Sequence, residues 1–79
     1  MTRYPTPADR DAMTAYLGGY IEQGNLRAIT LAKAVEVLRA AAPGVTVDGM
    51  IASRLLRRLR FNRSQLPADA GVITYRSND

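Results

Sequence analysis

The chain contains no cysteine and no histidine. Without cysteine there is neither a disulfide framework nor a thiolate metal site. Without histidine the usual general base and the usual zinc ligand are both missing. No glycine-rich phosphate loop, no metal-ligand spacing and no nucleophile–base pair occurs. Asp9 and Asp11 are two residues apart, so on a helix they diverge rather than converge on one substrate. These absences argue against an enzyme and against a bound cofactor or metal. Aromatic residues are only 6 % of the chain, too few for a platform that stacks single-stranded bases. The apolar runs are far too short to cross a bilayer. The N-terminus MTRYPTPADRD has no apolar stretch of the kind a secretory signal needs. The expectation is a soluble cytoplasmic protein with no membrane partner.

What is present is enough for one small core. The chain has 79 residues, 47 % of them hydrophobic, which suits a single marginally stable domain rather than a disordered chain. A loose tail is expected at 1–6, the domain at 7–76, and fraying at 77–79.

Charge is distributed unevenly. Residues 1–48 carry Arg3, Arg10, Arg27, Lys33 and Arg39 against Asp9, Asp11, Glu22, Glu36 and Asp48, and sum to zero. The whole net charge of +4 therefore lies in 49–79. Most of it sits in SRLLRRLR, whose arginines are Arg54, Arg57, Arg58 and Arg60. A GC-rich genome would produce the preference for Arg over Lys without selection for function, so that preference says little. Placement on one segment says more, because codon bias does not cluster charge. A localised positive patch points to a polyanion, most commonly nucleic acid.

Helical signals appear three times. Thr6 is a candidate N-cap, Pro7 suits the first helical position, and Asp9 and Asp11 suit the positive end of the dipole. Met13, Tyr16, Leu17, Tyr20 and Ile21 then recur as one buried stripe. Gly24 is expected as the C′ residue that ends the helix near Gln23. Gly18 and Gly19 inside this helix read as close packing against a neighbouring helix. Residues 25–29 read as a small strand or a linker. Thr30 caps a second helix with Leu31, Ala34, Val35, Leu38 and Ala42 on its apolar side, stopped by Pro43 and Gly44. A third helix is expected at about 47–60, capped by Thr46 or Asp48. Its apolar arc is Ile51, Ala52, Leu55, Leu56 and Leu59. Met50, Ser53, Arg54 and Arg57 face the other way, with Arg58 and Arg60 at the edges.

Residues 62–66 and VITY at 72–75 read as strands, joined by a turn PADAG at 67–71. Together they predict a two-stranded hairpin over 62–76. The fold class expected is α+β, mostly α.

From VTVDGMIASRLLRRLRF to GVITYR, and across about 8–76, the chain resembles a winged helix–turn–helix domain. It is also loosely similar to the C-terminal winged-helix module of phage and plasmid primase–helicases, where an LxxLxF-like helix end precedes a wing closing on a tyrosine. The resemblance implies that the third helix enters the major groove of double-stranded DNA and that the hairpin, or wing, lies on the backbone. Carried onto this chain it assigns DNA contacts to Met50, Ser53, Arg54 and Arg57 on the helix, to Arg58, Arg60 and Arg63 as phosphate ligands, and to Gln65 near the wing tip. One departure is plain. Many such domains have glycine just after the third helix, and this chain has Arg60-Phe61-Asn62. Asn62 is the residue there that adopts the left-handed region most readily, so the helix is expected to run one residue longer and the wing to be shorter.

These features imply a small regulator of transcription or an accessory factor in replication, from a phage or mobile element, acting as a monomer or homodimer. The terminal domain of a larger replication protein fits as well, though the Met1 start favours a free-standing chain. The rival is a protein-interaction module, a phage-type regulator or inhibitor that docks the same basic face on an acidic protein partner.

Overall fold

In the computed structural model, which describes residues 2–65 and 71–77, the first helix begins with reciprocal capping. Asp9 N–H donates to Thr6 Oγ1 at 3.1 Å, and Thr6 N–H donates to Asp9 Oδ2 at 2.9 Å. Two otherwise unpaired backbone donors are satisfied at once. Helix α1 runs Pro7–Gln23. It ends in a Schellman turn, with Leu26 N–H bonded to Ile21 O at 3.0 Å and Asn25 N–H to Glu22 O at 3.1 Å. The left-handed residue of that turn is Asn25, at φ 50, and not Gly24, which stays at φ −84.

Strand β1, Ala28–Thr30, leads directly into α2, Leu31–Ala41. Thr30 serves both elements. It closes β1, and its Oγ1 accepts from Lys33 N–H at 3.1 Å to cap α2. The turn that follows is held by Arg39, whose Nε and Nη2 donate to Val47 O at 3.2 and 3.0 Å. Asp48 then caps α3, Gly49–Arg58, accepting from Ile51 N–H at 2.9 Å. Of the two expected caps, Asp48 is the one used. Helix α3 is shorter than the expected 47–60. Leu59 is its cap, and Arg60 takes the left-handed conformation at φ 66. The helix thus stops early rather than late, and Asn62 lies in the next strand instead of at the turn.

Strands β2, Phe61–Arg63, and β3, Thr74–Ser77, complete a three-stranded antiparallel sheet in the order β1-β3-β2. Tyr75 is paired with Ile29 on one side and with Arg63 on the other. The expectation of a two-stranded hairpin is corrected here. The second edge of β3 carries its own backbone donors and acceptors, and residues 28–30 supply their partners. The pairing continues past the strands through Leu31 N–H to Ile73 O at 2.9 Å and Ser77 N–H to Arg27 O at 2.9 Å. Val72 and Ile73 stand outside β3 and are exposed. The expected turn at 67–71 and the end of its first strand at Leu66 lie outside the described residues, except Gly71, at φ 86.

The core lies between the helices and one face of the sheet. Leu17, Leu38, Leu55 and Leu56 are its fully buried centre; each contributes about 1.5–3 kcal/mol on burial. Met13, Ile21, Ala34, Val37, Ala52, Ile29, Phe61 and Tyr75 surround them. Tyr16, expected in the buried stripe, is 52 % exposed. The stripe on α1 is the narrower row Met13, Leu17 and Ile21.

Two terminal expectations also change. Residues 2–4 are not a loose tail. Arg3 N–H bonds Gly44 O at 3.2 Å, Thr46 N–H bonds Arg3 O at 2.7 Å, and the Thr2 and Thr46 hydroxyls are 2.9 Å apart. Ser77 belongs to β3 rather than to a frayed end. Among the described residues no helix is long and apolar enough to cross a membrane.

Candidate nucleic-acid interface

Helix α3 divides cleanly across its axis. Ala52, Leu55 and Leu56 are buried against α1, α2 and the sheet, while Met50, Arg54, Arg57 and Arg58 are exposed. Three turns of helix with apolar residues at that spacing can present only the other side to solvent. Met50, at the first turn, is 68 % exposed, and a large apolar side chain at such a place is not serving the core.

The arginines are not equivalent. Arg58 Nη1 lies 3.1 Å from Asp11 Oδ1 on α1, so part of its charge is answered within the chain. Arg54, Arg57, Arg60 and Arg63 make no ion pair among the described residues. Arg60 projects from the left-handed turn after α3, and Arg63 and Gln65 are exposed on and just beyond β2. The positive patch expected from the sequence therefore has four open guanidinium groups on α3, the turn and β2.

Ser53 differs from its expected role. It is half-buried, and its Oγ lies 2.5 Å from Tyr75 Oη. The hydroxyl joins α3 to the central strand instead of pointing at a ligand. The reason is geometric: the Tyr75 side chain reaches from β3 to the flank of α3 that the helical wheel left facing solvent.

The structure adds two residues that were not legible. Tyr4 and Arg10 line a cleft together with Met50 and Arg54 at the start of α3. Arg10 carried a weak signal, since a basic residue at the fourth helical position opposes the helix dipole. Tyr4 carried none.

Chemically, the site can bind anions through guanidinium forks and offer apolar contact through Met50. Among the described residues no group of three or more Asp, Glu, His or Cys side chains is placed to hold a metal ion. The strongest pKa perturbation lies elsewhere. Asp9 is held well below the usual carboxylate range, first by the hydrogen bond from the Arg3 guanidinium and then by Thr6 N–H. It is a structural group and plays no part in the basic face.

No protein-family model, no curated protein and no solved structure matches this chain.

Proposed function

We propose that this protein is a small, non-enzymatic winged-helix protein that binds duplex DNA, with α3 in the major groove and the β2–β3 pair on the backbone. The observation that carries the reading is α3 itself: Leu55 and Leu56 buried on one side, and Met50, Arg54 and Arg57 exposed on the other, with both arginines unpaired among the described residues. An α-helix fits the major groove, and arginine forks match phosphate oxygens and the O6/N7 edge of guanine. The N-terminal residues of such a helix come nearest the bases, which puts Met50 there and leaves Arg54, Arg57, Arg60 and Arg63 for phosphates. The order of elements, a helix, a short strand, two helices and then two paired strands, is the order on which the resemblance to a winged helix rests.

In this reading the protein acts by occupancy, as a regulator of transcription or an accessory factor in replication. About four neutralised phosphates give a salt slope of log K near −4. The test is a fluorescence-anisotropy titration of a labelled duplex at several salt concentrations. The expected result is a steep slope, with binding lost in an Arg54→Ala/Arg57→Ala variant whose circular dichroism is unchanged. Duplex binding that survives this double change removes α3 as the reader. A saturable complex with an acidic protein, and no duplex affinity at physiological salt, replaces the reading with a protein-docking one.

A further inference from the structure

The cleft at the start of α3 has a volume of about 280 Å³ and joins parts of the chain that are distant in sequence. Tyr4 enters it from the N-terminal segment, Arg10 from the first turns of α1, and Met50 and Arg54 from α3. The segment is held in place by backbone bonds, from Arg3 N–H to Gly44 O and from Thr46 N–H to Arg3 O. These bonds lay residues 2–4 across the turn that precedes α3. Tyr4 is nevertheless 74 % exposed. A ring fixed at the surface by its neighbours' backbone, without being buried, is not explained by the core.

The charges in the cleft are specific. Arg10 and Arg54 have no ion-pair partner among the described residues. The carboxylate that also lines it, Asp48, already accepts Ile51 N–H through Oδ1 as the helix cap. Two guanidinium groups against one carboxylate leave a single positive charge. That balance suits a singly charged phosphodiester better than a doubly charged phosphate monoester. The apolar walls, Tyr4 and Met50, suit the sugar attached to it. A free inorganic anion would gain nothing from them, whereas the nucleic-acid backbone presents phosphate and sugar together.

We propose that this cleft is a backbone-binding site of the DNA interface, in which Arg10 and Arg54 clamp one phosphodiester and Tyr4 covers its sugar. The proposal rests on the reading of the chain as a duplex binder. It extends the interface from α3 to α1 and the N-terminal segment, and it makes Arg10 a binding residue although it lies in the half of the chain with no net charge. Arg10 positions the strand without reading sequence, so its effect is uniform across duplexes.

The test uses the full chain and labelled duplexes of two unrelated sequences, titrated across salt. Arg10→Ala is expected to lower the magnitude of the salt slope by about one and to weaken binding about fivefold near 0.15 M salt, on both duplexes alike. Arg10→Lys is expected to keep the slope, since the charge remains. Tyr4→Ala is expected to weaken binding while leaving the slope unchanged. Thermal melts of the variants should stay close to the parent, because Tyr4 is exposed and the half-buried Arg10 has no ion-pair partner among the described residues. An Arg10→Ala chain with the parent's slope and affinity, alongside an Arg57→Ala chain that has lost both, overturns the cleft and leaves the α3 reading standing. A parent chain with no duplex affinity overturns both.

Discussion

The phenol oxygen of Tyr75, in the central strand, lies 2.5 Å from Oγ of Ser53, in the middle of α3. The bond fixes the helix that carries the basic face to the strand that pairs with both others. Tyr75 is 4 % exposed and Ser53 is half-buried, so the two partners do not lose equally when the bond is broken. Tyr75→Phe leaves a serine that water can reach, and is expected to cost about 0.5–1.5 kcal/mol. Ser53→Ala leaves a phenol hydroxyl without its partner in the interior, a loss of about 1–3 kcal/mol, of which alanine's helix propensity returns about 0.5 kcal/mol. The double variant is expected to cost less than the sum of the two. Urea unfolding of all four chains measures the coupling, and strict additivity would show that the bond contributes nothing.

Arg60 sits at φ 66, where a residue with a Cβ is strained by about 1–2 kcal/mol and glycine is not. Arg60→Gly is therefore expected to raise the melting temperature and, if the side chain contacts phosphate, to weaken duplex binding. Stability and affinity then move in opposite directions in one variant. A loss of stability would show that the Arg60 side chain holds the end of α3 in place.

The adjacent glycines of α1 are expected to separate. A Cβ at Gly19 meets nothing within 4 Å, while one at Gly18 comes 3.1 Å from Leu59 Cδ2. Gly19→Ala should stabilise by up to about 1 kcal/mol, roughly 4–8 °C in melting temperature for a domain of this size. Gly18→Ala must displace Leu59 by a few tenths of an ångström and should gain less or lose. Close packing accounts for Gly18 and not for its neighbour. Equal shifts for the two in thermal melts would refute the contact.

Asp9 gives a pH signature. Its folded pKa is lowered, chiefly by the Arg3 guanidinium, below the value of about 4 in an unfolded chain. The stabilisation is thus fully present above about pH 4 and is lost as pH falls through the lowered folded value. The stability difference between the parent and Asp9→Asn should be constant from pH 7 to about 5 and should shrink in acid. Because the pair is at the surface, added salt should reduce it as well. A difference that grows on acidification would contradict the pairing.

The three helices were legible because each has a local punctuation mark and a 3.6-residue repeat. Thr6, Thr30 and Asp48 cap them as their types suggest, and Ala52, Leu55 and Leu56 fall on the inner side of α3 where the spacing puts them. Strand β1 was only half legible: residues 25–29 read as a small strand or a linker, because so short a piece carries no period, and pairing with Tyr75 and its neighbours makes 28–30 the strand. The wheel separated Arg54 and Arg57 from the core correctly. It misplaced Ser53, because a wheel drawn from one helix cannot know that the Tyr75 hydroxyl, 22 residues on, reaches it. It also could not show that Asp11, 47 residues away, answers Arg58.

Short-range chemistry thus decided the helices, their starts, the apolar arc of α3 and the charge of its other face, all of which depend on residues within a turn or two of one another. Tertiary structure alone decided which arginines stay unpaired, that the sheet has a third strand, and that Tyr4 and Arg10 stand beside Arg54. Those relations join positions far apart in the chain, and they exist only once burial of Leu17, Leu38, Leu55 and Leu56 has brought the elements together.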